Sequence, residues 1–204
     1  MPFPEATGNS FPVELRFTDE FEHGFGWTRD RDRIQRTSHA VLSGGRVWLT
    51  DVIDGPGLDE RVKALGEPSG VVQLLDRHSR DCAAVAERLG VPLHELEAEG
   101  LPFTVLPLVQ KRFWREVALW FPDERILVCG DALGSVGYFR AKGERFGVHP
   151  LLRLFPPRRA LAGLEPEHIL FGHGPGFHEP EAGRMLREAL STARRRLPRA
   201  LLHV

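Results

Sequence analysis

Apolar residues change their spacing several times along the chain, and each spacing predicts an element. Val13–Phe17, Ile34–Leu42 and Val47–Ile53 read as strands, the last two joined by Ser43-Gly44-Gly45-Arg46, whose paired glycines suit a tight hairpin turn. Leu58, Val62 and Leu65 recur at i, i+4 and i+7. With Asp59 and Glu60 in the first turn and Gly66 just past the end, they predict a helix over Leu58–Leu65. Val71–Leu75 is an almost unbroken apolar run, suited to a strand buried on both faces. Cys82, Val85, Ala86 and Leu89 then fall at i, i+3, i+4 and i+7 before Gly90, which predicts a helix with one inward stripe.

Further on, short strands are expected at Val91–His94 and Phe103–Leu106. A second hairpin runs from Val117–Phe121 through Pro122-Asp123-Glu124-Arg125 to Ile126–Cys129. Glu167–Phe171 is the last expected strand. A final helix starting near Pro180 carries Ala182, Met185, Leu186, Ala189, Leu190, Ala193 and Leu197 on one face. Hairpins mixed with strand–loop–helix units indicate α/β or α+β layering within one domain spanning residues 1–204.

Composition narrows the class. The 204 residues are 27% charged and 42% hydrophobic, ordinary for a folded soluble domain and unlike disordered or fibrous chains. Lys plus Arg, 27, nearly cancels Asp plus Glu, 28, so no global field recruits nucleic acid or an anionic membrane. The Arg194-Arg195-Arg196 run reads as a solvated helix end. No apolar run reaches the ~20 residues of a membrane helix, and the amino terminus lacks a signal-peptide pattern, so the expected location is cytoplasmic. The two cysteines, Cys82 and Cys129, are expected as reduced thiols.

Three polar clusters each follow a predicted strand: Asp76–Asp81, Gly130-Asp131 and Gly172-His173-Gly174. Loops at strand ends are where layered α/β proteins assemble sites, because the sheet fixes the origin of each loop. Other chemistries find less support. There is no G-x-S-x-G elbow around a serine, and Gly172–Gly176 matches neither standard nucleotide-phosphate fingerprint.

The order of a β-meander, Leu75-Asp76-Arg77-His78-Ser79-Arg80-Asp81-Cys82 before a helix, Leu127-Val128-Cys129-Gly130-Asp131, and Ile169-Leu170-Phe171-Gly172-His173-Gly174 resembles the metallo-β-lactamase-fold hydrolases, from about residue 34 to 180. That resemblance implies a four-layer αβ/βα sandwich. It also implies a site built from H-x-H-x-D-H after a strand, a histidine in a G-H-T-x-G loop, a G-D aspartate bridging two metals and a late G-H histidine. Such ligands hold two zinc or iron ions that activate water against an ester, amide, thioester or phosphodiester.

With Asp81 taken as the motif aspartate, the motif histidines become Arg77, Ser79 and Cys82, and His78 stands out of register. The mid-chain histidine has no counterpart in Gln110–Glu116, whereas Asp131 and His173 are kept. The resemblance therefore implies a degenerate centre. One zinc or iron ion is held by Asp81, Cys82, Asp131 and His173, with Asp81 and His173 catalytic, or no metal binds and Arg77 or Arg112 supplies the missing positive charge. A two-metal arrangement recruiting His78 is the third option. Asp51 resembles the early strand aspartate that braces such a site. Each residue also has a purely structural reading: Asp81 as a helix first-turn residue, Cys82 as a core thiol, Asp131 as an acceptor of backbone N–H groups.

The expected function is a one-metal hydrolase of a small ester or phosphoester, or an inactive relative. The alternative is a binding module whose cleft takes a small anion or a protein partner. Trp27 with Phe11, Phe17, Phe21 and Phe25 is open to covering the cleft or to a subunit contact, so the oligomeric state stays open.

Overall fold

A computed structural model describes residues 14–96 and 101–201. The first sheet contains β1 (Leu15–Phe21), β2 (Gly24–Arg29), β3 (Thr37–Ser43) and β4 (Arg46–Thr50). After α1 (Leu58–Leu65) come β5 (Glu67–Gln73), α2 (Cys82–Leu89) and β6 (Leu93–Glu95). The second sheet contains β7 (Thr104–Lys111), β8 (Trp114–Phe121) and β9 (Ile126–Cys129). A small ribbon of β10 (Leu133–Gly134) and β11 (Gly147–Val148) and a short helix α3 (Arg158–Leu161) follow. The chain closes with β12 (His168–Phe171), β13 (Phe177–His178) and α4 (Ala182–Leu201). Sheet orders are β1-β2-β3-β4-β5-β6 and β13-β12-β9-β8-β7.

The layering follows from period-two alternation, which sends neighbouring strand residues to opposite faces. Trp48, Val72 and Leu74 of the first sheet meet Val117, Leu119, Ile126, Val128 and Leu170 of the second, filling the space between the sheets. Their neighbours Val47, Leu49 and Val71 turn outward under Leu58, Val62, Val85 and Ala86 of the first two helices. Leu127, Cys129, Ile169 and Phe171 turn the other way against Ala182, Leu186, Ala189 and Leu190 of α4. The result is helix, sheet, sheet, helix. Among the described residues no helix is long and apolar enough to cross a membrane.

The helices over 58–65 and 82–89 and the strand over 126–129 fall where their periodicity predicts. Other boundaries move. The expected strand Val47–Ile53 ends at Thr50 because Asp51 takes a left-handed conformation, φ 45°, which Asp tolerates better than most residues. β5 starts at Glu67 rather than Val71, paired in parallel with β4, while β2, β13 and α3 go beyond the elements the sequence predicts. Phe25 and Trp27 lie in the core beneath α1 and α2, where the Trp27 indole donates to the Ile53 carbonyl at 2.7 Å. Phe11 and Val13 lie outside the described residues.

The two sheets are tied at one end. Arg36 and His173 form an antiparallel bridge, the Thr37 N–H donates to the Gly172 carbonyl at 2.9 Å, and the Gly174 N–H donates to the Gln35 carbonyl at 2.9 Å. At the same end Leu75 bridges Glu116. All three polar clusters leave the sheets here.

Candidate metal centre

The site begins with backbone. β9 and β12 run parallel and in register, so Asp131 and His173 each emerge two residues past a strand end. Gly130 and Gly172 allow the approach. The Gly172 N–H donates to the Gly130 carbonyl at 3.1 Å, and a Cβ at Gly172 would sit 2.8 Å from that oxygen. From the other sheet, the loop after β5 delivers His78.

Three donor atoms converge: one each from His78, Asp131 and His173, all within 4.8 Å of one another. The Asp131 Oδ1 atom is 3.3 Å from His78 Nε2 and 3.2 Å from His173 Nε2. Neither contact is aligned as a hydrogen bond, so Oδ1 is buried without a conventional partner. Both imidazoles are fixed from behind. His78 Nδ1 lies 2.6 Å from Asp51 Oδ2, and His173 Nδ1 lies 2.8 Å from the Ile34 carbonyl. An acceptor at Nδ1 places the proton there and leaves the Nε2 lone pair of the neutral ring facing the centre, the tautomer that ligating histidines use.

The electrostatics agree with a cation-hungry cluster. Burial works to lower the His78 pKa, but the Asp51 charge and the contacts with Asp131 and Asp51 raise it to about 9. Burial works to raise the Asp131 pKa, and the imidazoles of His173 and His78 override it, holding the carboxyl well below the usual carboxylate range. Asp51 braces the arrangement, since its Oδ1 accepts the Leu74 N–H at 2.8 Å.

Of the expected ligands, the structure unites Asp131 and His173 with His78, not with Asp81 and Cys82. Asp81 turns away at the head of α2, where its Oδ2 accepts the Asp54 N–H at 2.9 Å and lies 3.4 Å from Arg29. Cys82 points into the core with Val85 and Ala86, accepts the Val52 N–H at 3.2 Å, and has its thiol pushed up to about 12, chiefly by burial. It is a protonated core thiol.

The register assigned from Asp81 is corrected by one residue: counted from His78, the alternating motif positions hold His78, Arg80 and Cys82. Arg112 is exposed, lies over the Phe113 ring and lines neither hollow beside Asp131, so the structure does not bring it to the cluster. Arg77 does approach, with Nη2 3.7 Å from Asp131 Oδ2 and Nη1 donating to the Phe113 carbonyl at 2.8 Å.

Arg80 is the residue that sequence reasoning missed. It sits on a left-handed backbone, φ 39°, an uncommon state for a side chain of this size, and its guanidinium runs inward. Nη1 donates to the Asp51 carbonyl at 2.7 Å and the Thr37 carbonyl at 3.0 Å, and Nη2 lies 3.5 Å from His78 Nδ1. A permanent cation thus occupies the second histidine position of the motif. Only the spacing His78-x-Arg80 could have hinted at it.

Sheet order, layering and site position together define the metallo-β-lactamase fold. Solved structures similar to the chain include TMB-1, at 14% identity over 90% of this chain and 99% of that one, with a TM-score of 0.58. The DIM-1 metallo-β-lactamase gives 15% identity over 90% and 100% with a TM-score of 0.54. The mono-zinc form of the metallo-β-lactamase FIM-1 from Pseudomonas aeruginosa gives 13% over 90% and 97% with 0.55. No protein-family model matches the chain, and no curated protein matches it.

Proposed function

We propose that the chain is a hydrolase with a single-metal centre held by His78 Nε2, Asp131 Oδ1 and His173 Nε2, acting on a small ester or phosphoester. The observation that carries this reading is the unpartnered Asp131 Oδ1 facing two imidazoles whose other nitrogens are tied to acceptors. Two nitrogens and one carboxylate oxygen suit zinc or iron, and three protein ligands with an open side match catalytic rather than structural sites. The bound ion supplies Lewis acidity and an activated water near neutral pH.

The protein's own groups do the rest. Asp51 and the Ile34 carbonyl orient the two rings, which limits the reorganisation needed on binding. Arg77, beside Asp131, is placed to stabilise negative charge developing on a substrate oxygen in the cleft. Arg80 fixes positive charge where a second ion would need an imidazole, which favours one ion over two.

Elemental analysis of protein purified without chelator and supplemented with zinc tests the proposal. About one equivalent per chain, lost in the double variant His78→Ala with His173→Ala, is expected, together with zinc-dependent cleavage of 4-nitrophenyl acetate or bis(4-nitrophenyl) phosphate. Protein that retains no zinc overturns the reading in favour of a non-catalytic anion-binding module, which the arginines of the cleft would suit.

A further inference from the structure

Two hollows open on either side of the Asp131–His173 pair and share Ile34, Asp131 and His173 as their common wall. Their linings differ sharply. One, of about 460 Å³, is lined by Arg29, Arg36, Arg77 and Arg80. The other, of about 390 Å³, is lined by Val136, Tyr138, Phe139 and His149, and by Arg33. Each is within the size range of small-molecule sites, so together they exceed what a minimal ester needs.

Arg29 and Arg36 each keep at least one terminal nitrogen without a partner among the described residues. Arg36 is anchored through Nε to Asp32 Oδ2 at 2.8 Å, and its two Nη atoms have no partner among the described residues. Arg29 is engaged, among the described residues, only through Nη2, with Asp81 at 3.4 Å. By contrast, Nη1 of Arg80 is engaged by backbone carbonyls, and Arg77 is committed to the Phe113 carbonyl and Asp131. Planar guanidinium forks held in place with free N–H groups are receptors for a carboxylate or phosphate.

The second hollow has an apolar wall of Val136 and Phe139 with the Tyr138 hydroxyl beside it. The Leu151 N–H donates to His149 Nδ1, so the ring hydrogen is on Nε2, which contacts the Tyr138 hydroxyl. That oxygen therefore accepts, and its own hydrogen is left without a partner among the described residues. Phe139 packs against the His173 ring, centroids 5.6 Å apart, and continues the apolar wall up to the centre.

We infer that the substrate is two-ended: a carboxylate- or phosphate-type anion held by Arg29 and Arg36, a ring-sized apolar group lying against Val136, Tyr138 and Phe139, and the hydrolysable bond between them. The inference rests on the proposed function only for placing that bond. In the ester case, water adds its oxygen to the acyl carbon, the carbon–oxygen single bond breaks, and the leaving alkoxide takes up a proton. The products are one acid and one alcohol.

Binding of N-benzoylglycine, which has a ring, a central carbonyl and a carboxylate, tests the arrangement without turnover. It is compared with N-acetylglycine, which lacks the ring, and benzamide, which lacks the anion, on chelator-treated and zinc-loaded protein. The two-ended probe is expected to bind at least about tenfold more tightly than either half on both forms. Arg36→Ala and Arg29→Ala should weaken N-benzoylglycine and N-acetylglycine by about tenfold and leave benzamide unchanged, while Tyr138→Ala should do the reverse for the two half-probes. Equal affinity for all three probes, or no binding, overturns the inference even if every variant fails to fold, because that comparison uses the unmodified protein. Zinc uptake without discrimination among probes leaves the metal centre standing alone; discrimination without zinc uptake removes the metal centre and keeps the two-ended cleft.

Discussion

His78 Nδ1 lies 2.6 Å from Oδ2 of Asp51, a carboxylate almost wholly withdrawn from solvent at the end of β4. Among the described residues this pair holds the one imidazole that the first sheet's side contributes to the candidate centre, and it fixes which ring nitrogen faces Asp131. Asp51→Asn keeps the shape and tolerates the left-handed backbone, but it replaces an anionic acceptor by an amide. Zinc affinity is expected to fall by about 10- to 100-fold with the fold retained, as read by competitive zinc titration alongside circular dichroism. Unchanged affinity would show that Asp51 does not orient the ligand.

Cys82 has been turned from ligand into core. Cys82→Ala should leave zinc stoichiometry untouched and cost about 1–2 kcal/mol in urea unfolding, from lost contacts with the Val85 and Ala86 stripe. Loss of the metal with an intact fold would restore the thiol to the centre.

Glu116 is fully buried between the Ala132 N–H and the Trp114 indole, and burial, helped by the Asp131 charge, raises its pKa to about 8. Folding therefore favours the protonated acid, so stability is greatest below the ordinary carboxylate range and declines as pH rises toward about 8. The loss across that window is on the order of 3–5 kcal/mol. His78, with its pKa raised to about 9, works in the same direction, its contribution fading as pH rises past its ordinary value toward 9. Comparing Glu116→Gln with the parent cancels the histidine, and the variant should show a flatter dependence of thermal midpoint on pH between 5 and 8. Parallel curves would place the effect elsewhere.

Gly172 has no room for a side chain. In Gly172→Ala the new methyl would meet the Gly130 carbonyl and push β12 from β9, separating Asp131 from His173. A stability loss of about 2 kcal/mol or more is expected, with weakened zinc binding, measurable by thermal melts and zinc titration. Wild-type zinc affinity in this variant would mean the two loops are not held by that approach.

Period and composition made much of the architecture legible. Leu58–Leu65, Cys82–Leu89 and Ile126–Cys129 are written in the spacing of their apolar residues because each buries one face or both against a neighbouring layer. β2 and β13 were harder to read: Gly24–Arg29 alternates aromatics with glycine instead of with polar residues, and Phe177–His178 is too short to have a period.

Asp131 and His173 were also visible, since each follows a buried strand and a glycine, and the parallel pairing of β9 and β12 brings them side by side. His78, Arg80, Asp81 and Cys82 were not separable by sequence. All four lie in one polar loop, and which of them faces the centre depends on a backbone reversal at Arg80 and on the packing of α2, both of which come from contacts with residues far along the chain. The sequence by itself determined the layers and the two anchors, because those follow from local burial patterns. Only the tertiary structure chose His78 as the third donor and Arg80 as its neighbour, because the direction of a loop side chain is set by the surfaces that close over it.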